Sequence, residues 1–195
     1  MNKIDLSNLK LKTFTEQDAE DYCLLNNINS NNIKTLYLNS NELTDISGVK
    51  LFKNIEILWL SFNKIKNISV LKNLNKLKEL YIDNNQTTDI SVLKDLKKLE
   101  YLNISFNEIT DISAVKNLKK LQSLNIKNNK IKDISAVKNL TELKILNIGY
   151  LELESNQIQY IQSLKNLEII YYVNGFKDIS IIKKLNKNIK IYINY

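Results

Sequence analysis

The sequence predicts an α/β solenoid, a horseshoe with a parallel concave β-sheet, short 3-10 or turn-like convex segments and an N-terminal helical cap. Two observations carry that prediction. Five asparagines, Asn41, Asn63, Asn85, Asn107 and Asn129, each stand 22 residues after the last, and each closes a stretch of alternating apolar residues. The chain also has 195 residues with 44% hydrophobic and 25% charged, enough to bury a core without a partner. A fixed period in this range means stacked coils that share one continuous core.

Residues 1–32 read as the N-terminal cap. In "FTEQDAEDYCLLNNI", Thr15 is placed to cap a helix over about 15–26, and Glu16 and Asp18 put negative charge in its first turn. Ala19, Tyr22, Cys23 and Leu25 would then cover the first coil. Cys23, the single cysteine, has no intrachain partner and reads as part of that apolar face.

Residues 33–188 read as seven repeats. The regular copies begin "IKTLYLNSNELTDISGVKLFKN" and "IEILWLSFNKIKNISVLKNLNK" and run through "LQSLNIKNNKIKDISAVKNLTE". In "LEYLNISFN", Leu99, Leu102 and Ile104 point inward, and the L-x-L alternation marks a short strand. Asn107 sits where the chain leaves the strand, and its amide can satisfy backbone groups of the turn. The return segment "TDISAVKNLKK" buries Ile112, Val115 and Leu118 and has room for a turn or two of helix. Asn41, Asn63, Asn85, Asn107, Asn129 and, beyond a break, Asn156 are thus expected to form a structural asparagine ladder. The "DIS" serines read as structural too.

The break lies at 143–178. Asn156 follows Asn129 by 27 residues, and Ile161 follows Ile134 by the same step. Five residues therefore appear inserted between about Leu143 and Asn156. The sixth strand is expected in "IGYLELESN", with Tyr150, Glu152 and Glu154 outward. From Ile161 to Ile179 the step is 18, so four residues are missing from "LEIIYYVNGFKD", which carries Asn174-Gly175 in place of an ordinary turn. Tyr150, Glu152, Glu154, Tyr171 and Tyr172 form a second-choice contact region. Residues 189–195, "INY" at their end, are expected as a terminal edge strand, which invites pairing with another copy or domain.

The pattern L-x-x-L-x-L-x-x-N-x-I is that of a leucine-rich repeat. The 22-residue period with "N-x-I-x-D-I-S" and "LKNLKKL" resembles the repeats of bacterial internalins. It is also similar to the phosphatase-regulatory type of 22-residue repeat. Internalin repeats usually carry proline after "DIS", where this chain has Gly48, Val70, Val92, Ala114 and Ala136. The resemblance implies a non-enzymatic surface that binds another macromolecule through its concave face.

On that face the third position of each copy gives Thr35, Ile57, Glu79, Tyr101 and Ser123, and the fifth gives Tyr37, Trp59, Tyr81, Asn103 and Asn125. Tyr37, Ile57, Trp59, Glu79, Tyr81, Tyr101, Asn103 and Asn125 are the first-choice partner-binding residues. Tyrosine and tryptophan carry large apolar area with a polar tip and recur as interface anchors. Phe62 and Phe106, in "SFN", read instead as packing the turn. Three functions are open: a protein-binding module, an internalin-like secreted or surface adhesion protein, and a scaffold that self-associates through its C-terminal edge.

Enzyme chemistry is not expected. The chain has no histidine and three glycines, none in a phosphate-binding loop, and no nucleophile with an activator. No metal, cofactor or small-molecule substrate is expected. The net charge is +7, yet every one of the 28 basic residues is lysine. Arginine is the residue that forks onto phosphate and guanine, so nucleic acid is not the expected partner. The lysines cluster in the return segments, including Lys72, Lys76, Lys94, Lys97, Lys98, Lys183, Lys184 and Lys187, and read as a solvated face. With no signal-like or membrane-length apolar run, the chain as given reads as cytoplasmic, or as secreted or cell-surface if an export signal has been removed.

Overall fold

The computed structural model describes residues 2–172 and 188–193. Among the described residues, nine strands form a single parallel sheet in sequence order. They are β1 (Lys3–Asp5), β2 (Thr35–Tyr37), β3 (Ile57–Trp59), β4 (Glu79–Tyr81), β5 (Tyr101–Asn103), β6 (Ser123–Asn125), β7 (Ile145–Asn147), β8 (Ile169–Tyr172) and β9 (Lys190–Ile193). From β2 to β7 each residue pairs with the one 22 positions on, as Leu36 does with Leu58 and Leu58 with Leu80. The middle leucine of each of these strands is buried and its two neighbours face outward, which is the period-two alternation of a strand with one covered face.

The asparagines join each coil to the one before. The Asn63 side-chain carbonyl accepts from the Leu43 N–H at 2.9 Å, and its amide donates to the Leu38 carbonyl at 3.0 Å and to the Leu60 carbonyl of its own coil at 2.9 Å. Asn85, Asn107 and Asn129 repeat the same set one coil at a time. On the convex side, 3-10 segments run over Ser47–Leu51, Ser69–Asn73, Ser91–Asp95, Ser113–Asn117 and Ser135–Asn139. Each is started by the residue two places before its serine. Asp45, Asp89, Asp111 and Asp133 accept from the serine N–H at 2.7 Å, and Asn67 does so at 2.8 Å. The "D-I-S" signature is therefore an Asx turn that bends the chain into its return path.

Upstream of residue 33 the structure adds a rung that the sequence reading did not contain. β1 pairs with β2, setting Ile4 opposite Leu36. Asn41 binds this first coil as the others bind theirs, accepting from Leu11 N–H at 3.0 Å and donating to the Leu6 carbonyl at 2.8 Å. The convex part of this coil is a helix, α1 (Glu16–Leu25). Thr15 caps it in a reciprocal pair with Asp18, at 3.2 Å and 2.7 Å. Ala19 and Cys23 face inward and are buried, whereas Leu25, placed on the covering face by sequence, is exposed. The helix start comes so close to the first 3-10 segment that a methyl group on Gly48 would overlap the Thr15 carbonyl, which explains glycine where later coils carry valine or alanine.

The break is smaller than its sequence suggests. β7 stays in register with β6, and Leu151, 22 residues after Asn129, is buried in the ladder position. Asn156 is not a rung: it is exposed in the 3-10 turn Ser155–Gln157, where its side chain accepts from Gln157. β8 follows β7 by 24 residues and β9 follows β8 by 21. Two residues are thus inserted rather than five, and one is missing rather than four. The insertion falls between Leu153 and Ile158, and the convex segment there becomes a short helix, α2 (Ile158–Gln162). Tyr150, Glu152 and Glu154 do point outward, but from the turn after β7 and not from a strand. Asn174-Gly175, the "DISIIKKL" segment, Lys183, Lys184 and Lys187 lie outside the described residues, as do residues 194–195.

The asparagine assignment has a direct test. Asn85→Ala is expected to destabilise the fold by about 2–4 kcal/mol in urea unfolding, because it strands the Ile65 N–H and two carbonyls away from water. Asn156→Ala is expected to change stability by less than about 0.5 kcal/mol.

Candidate binding face

The parallel register turns each repeat position into a row across the sheet. The fifth position places Tyr37, Trp59, Tyr81, Asn103 and Asn125 side by side, and the third places Thr35, Ile57, Glu79, Tyr101 and Ser123. Three of these residues form a continuous aromatic stack. Tyr37 and Trp59 have ring centroids 5.8 Å apart, and Trp59 and Tyr81 are stacked at 4.1 Å and 28°. Asp5 continues this row on β1, and Lys3, in the neighbouring row beside Thr35, holds its ammonium 4.3 Å from the Tyr37 ring centroid. Tyr101 is exposed in the neighbouring row. The stack ends where the row changes to amides. Asn103, Asn125 and Asn147 turn their side-chain carbonyls to the N–H groups two residues on, at 3.2, 3.1 and 3.1 Å.

The Tyr81 hydroxyl donates to Glu79 Oε2 at 3.0 Å. Burial, then the hydrogen bond to Glu79 and its negative charge, push the phenol up to about 12. Rim acids are held differently. Glu56 bridges Lys78 at 2.8 Å and Lys34 at 3.0 Å, and those two ammonium groups hold its carboxyl at about 2.

The seventh position holds a group that sequence reasoning passed over, and the eighth holds two rings that it read as packing the turn. Asp83 is 9% exposed. Its Oδ1 accepts from Ser61 Oγ at 2.6 Å and Asn103 Nδ2 at 2.9 Å, and its Oδ2 accepts from Asn84 Nδ2 at 2.9 Å. The signal was present, since Asp83 is the one acid in a row otherwise made of Asn39, Ser61, Ser105 and Lys127. Phe62 and Phe106 do not pack the turn. They are 58% and 38% exposed, at backbone φ of 57° and 52°. The turn demands a left-handed residue there, and in that conformation the side chain leaves the core. The Lys127 ammonium lies between the exposed rings of Phe106 and Tyr150, 5.4 and 5.1 Å from their centroids.

Of the second-choice residues, Tyr171 faces outward and stacks on Tyr192 at 5.1 Å. Tyr172 does not: it is 1% exposed, because it takes the inward place that Ile148 holds one coil earlier, and it is withdrawn as a contact residue. Cys23 is buried, and its burial pushes the thiol up, away from the reactive range.

Residues 31–73, 53–98, 75–117 and 97–139 each match the family described as leucine-rich repeats in two copies, so that the matches span more than half of the chain. No curated protein sequence matches the chain. Among solved structures, internalin C2 of Listeria monocytogenes is 27% identical with a TM-score of 0.83, over 99% of this chain and 80% of that one. Internalin F of the same organism is 28% identical with a TM-score of 0.79, over 98% of this chain and 58% of that one. A leucine-rich-repeat protein of Leptospira interrogans shares the fold, at 21% identity and a TM-score of 0.66 over 96% of this chain and 59% of that one.

Tyr81 supplies a test of the face's electrostatics. In an alkaline absorbance titration read as the difference from Tyr81→Phe, the Tyr81 phenol is expected to ionise near 12, and Glu79→Gln to bring it back toward the ordinary value near 10. Ionisation near 10 in the unsubstituted protein would contradict the arrangement.

Proposed function

The chain belongs to the leucine-rich-repeat family, and from that premise we propose that it binds a protein partner on the concave face of its sheet, without catalysis. The observation that supports this most is the Tyr37–Trp59–Tyr81 stack, laid across three adjacent strands on the side that the core does not use. Aromatic rings in a parallel sheet also stabilise neighbouring strands, by roughly 0.2–1 kcal/mol per pair. Sheet stability alone would favour aromatics along the whole row, whereas this row carries asparagine across β5, β6 and β7 before it returns to Tyr171 and Tyr192. Ile57 and Tyr101 flank the stack and enlarge the apolar patch, and Glu79 sets its polarity. In this reading β1 and α1 cover the N-terminal end of the core. A role resembling that of a surface internalin is supported by the likeness to the two Listeria proteins.

A Trp59→Ala, Tyr81→Ala double variant tests the site. Capture of the partner is expected to fall at least tenfold, a loss usual for central aromatic anchors. Its melting temperature is expected to fall by no more than a few degrees, since about 1 kcal/mol of stacking is lost. Unchanged capture would remove the concave site.

Self-association is a second reading, supported by β9. This is the last strand of the described sheet, and it carries Tyr192 stacked on Tyr171. Static light scattering is expected to show a dimer at high concentration, and a monomer throughout would remove this reading.

A further inference from the structure

Asp83 stands out because its neighbours are all neutral. An ionised carboxylate offers about four acceptor positions. Ser61 and Asn103 occupy both of those on Oδ1, and Asn84 occupies one on Oδ2. One position on Oδ2 is left, and among the described residues no lysine lies within ion-pair distance of it. Removing a charge from water without a countercharge is costly. Glu79, at the start of β4, the strand that leads into Asp83, is likewise held by a neutral phenol and by no lysine among the described residues. Two acids without cations therefore sit in the concave centre of a chain whose net charge is +7. Two concave-facing cations are already engaged, Lys3 with Asp5 and Tyr37, Lys127 with Phe106 and Tyr150.

Resting on the reading of the concave face as a protein-binding surface, we propose that its occupant is a basic segment of the partner protein that presents an arginine to Asp83. The rings and the acids of this part of the face suit that side chain. A guanidinium is flat, stacks on aromatic rings and donates a fork of N–H bonds, so that it can lie against the side of Tyr81 that Trp59 does not cover while its edge meets the remaining acceptor position of Asp83. Lysine would satisfy the charge but not the stack or the fork. Phe62, exposed beside Ser61 and strained into the left-handed region, supplies a further ring at the border of the same site.

The test uses the whole chain, with a nine-residue oligo-arginine peptide as probe and oligo-lysine and oligo-glutamate peptides of equal length as controls, all at near-physiological salt. Trp59 is the only tryptophan, so its emission reports occupancy directly. Oligo-arginine is expected to change the emission and to bind at least tenfold more tightly than oligo-lysine. Asp83→Asn keeps the acceptor for Ser61 and Asn103 and is expected to lose at least tenfold in affinity for oligo-arginine. Because that substitution lies in a buried network, Glu79→Gln is measured beside it and is expected to lose a smaller factor in the same direction. Equal binding of arginine and lysine peptides, preference for oligo-glutamate, or affinities unchanged in both variants would overturn the proposal. If partner capture falls in the Trp59→Ala, Tyr81→Ala variant but not in Asp83→Asn, the arginine assignment fails and the concave face stands. If neither variant affects capture, both fail.

Discussion

A buried peptide N–H has to find an acceptor, and in this protein the acceptor is one coil away. The ladder asparagine reaches back to an N–H 20 residues earlier and to a carbonyl 25 residues earlier, while it also closes the turn of its own coil. Those fixed offsets lock the length of the chain between one strand and the next turn. A residue added between the strand and the asparagine would pull the amide off its partners and leave buried backbone groups unpaired. Among the described residues the convex side repeats no such tie from coil to coil, although Gln157 accepts from the Ile134 N–H at 3.0 Å. There the two extra residues of the sixth coil are absorbed, by the change from a 3-10 segment to α2. The first coil makes the same exchange with α1. Both irregularities lie where backbone spacing is free to vary.

The turn that the asparagine closes has a second consequence. The residue before each asparagine takes a positive φ, as Ser40, Phe62, Asn84, Phe106 and Asn128 all do, and Tyr150 does so before Leu151. Left-handed backbone costs a residue with a Cβ roughly 1 kcal/mol. Serine and asparagine offset part of this with local hydrogen bonds, whereas phenylalanine and tyrosine do not. Phe62, Phe106 and Tyr150 therefore combine strain with exposed aromatic surface, at positions bordering the concave face. The Lys127 ammonium over the Phe106 and Tyr150 rings offsets part of that cost.

Charge is divided in the same way. The rims carry ladders of paired charge, such as Lys34–Glu56–Lys78, in which each acid meets an ammonium of the next coil. The concave centre carries Glu79 and Asp83, which meet hydroxyls and amides. A net charge of +7 thus says little about the centre of the concave face.

Much of the fold was legible in the residues. The 22-residue step, the L-x-L strands, the asparagines and the rows of outward side chains follow from local patterning, because a parallel register repeats whatever the period repeats. The Tyr37, Trp59 and Tyr81 row was legible for that reason. Asn156 misled because matching it to Asn129 seemed to extend the ladder, and "LELES" mimics a strand. What decides is the backbone pairing of β7 with β6, which leaves Leu151 as the rung. Similarly, β1 carries no asparagine signature and is found only through its bonds to β2, and Tyr172 is core because β8 aligns it with Ile148. The sequence by itself determined the repeat, its core and the aromatic row. Only the tertiary structure decided where the sheet begins, which side absorbs the insertion and which acid is left without a cation, since each depends on contacts between coils that no single repeat contains.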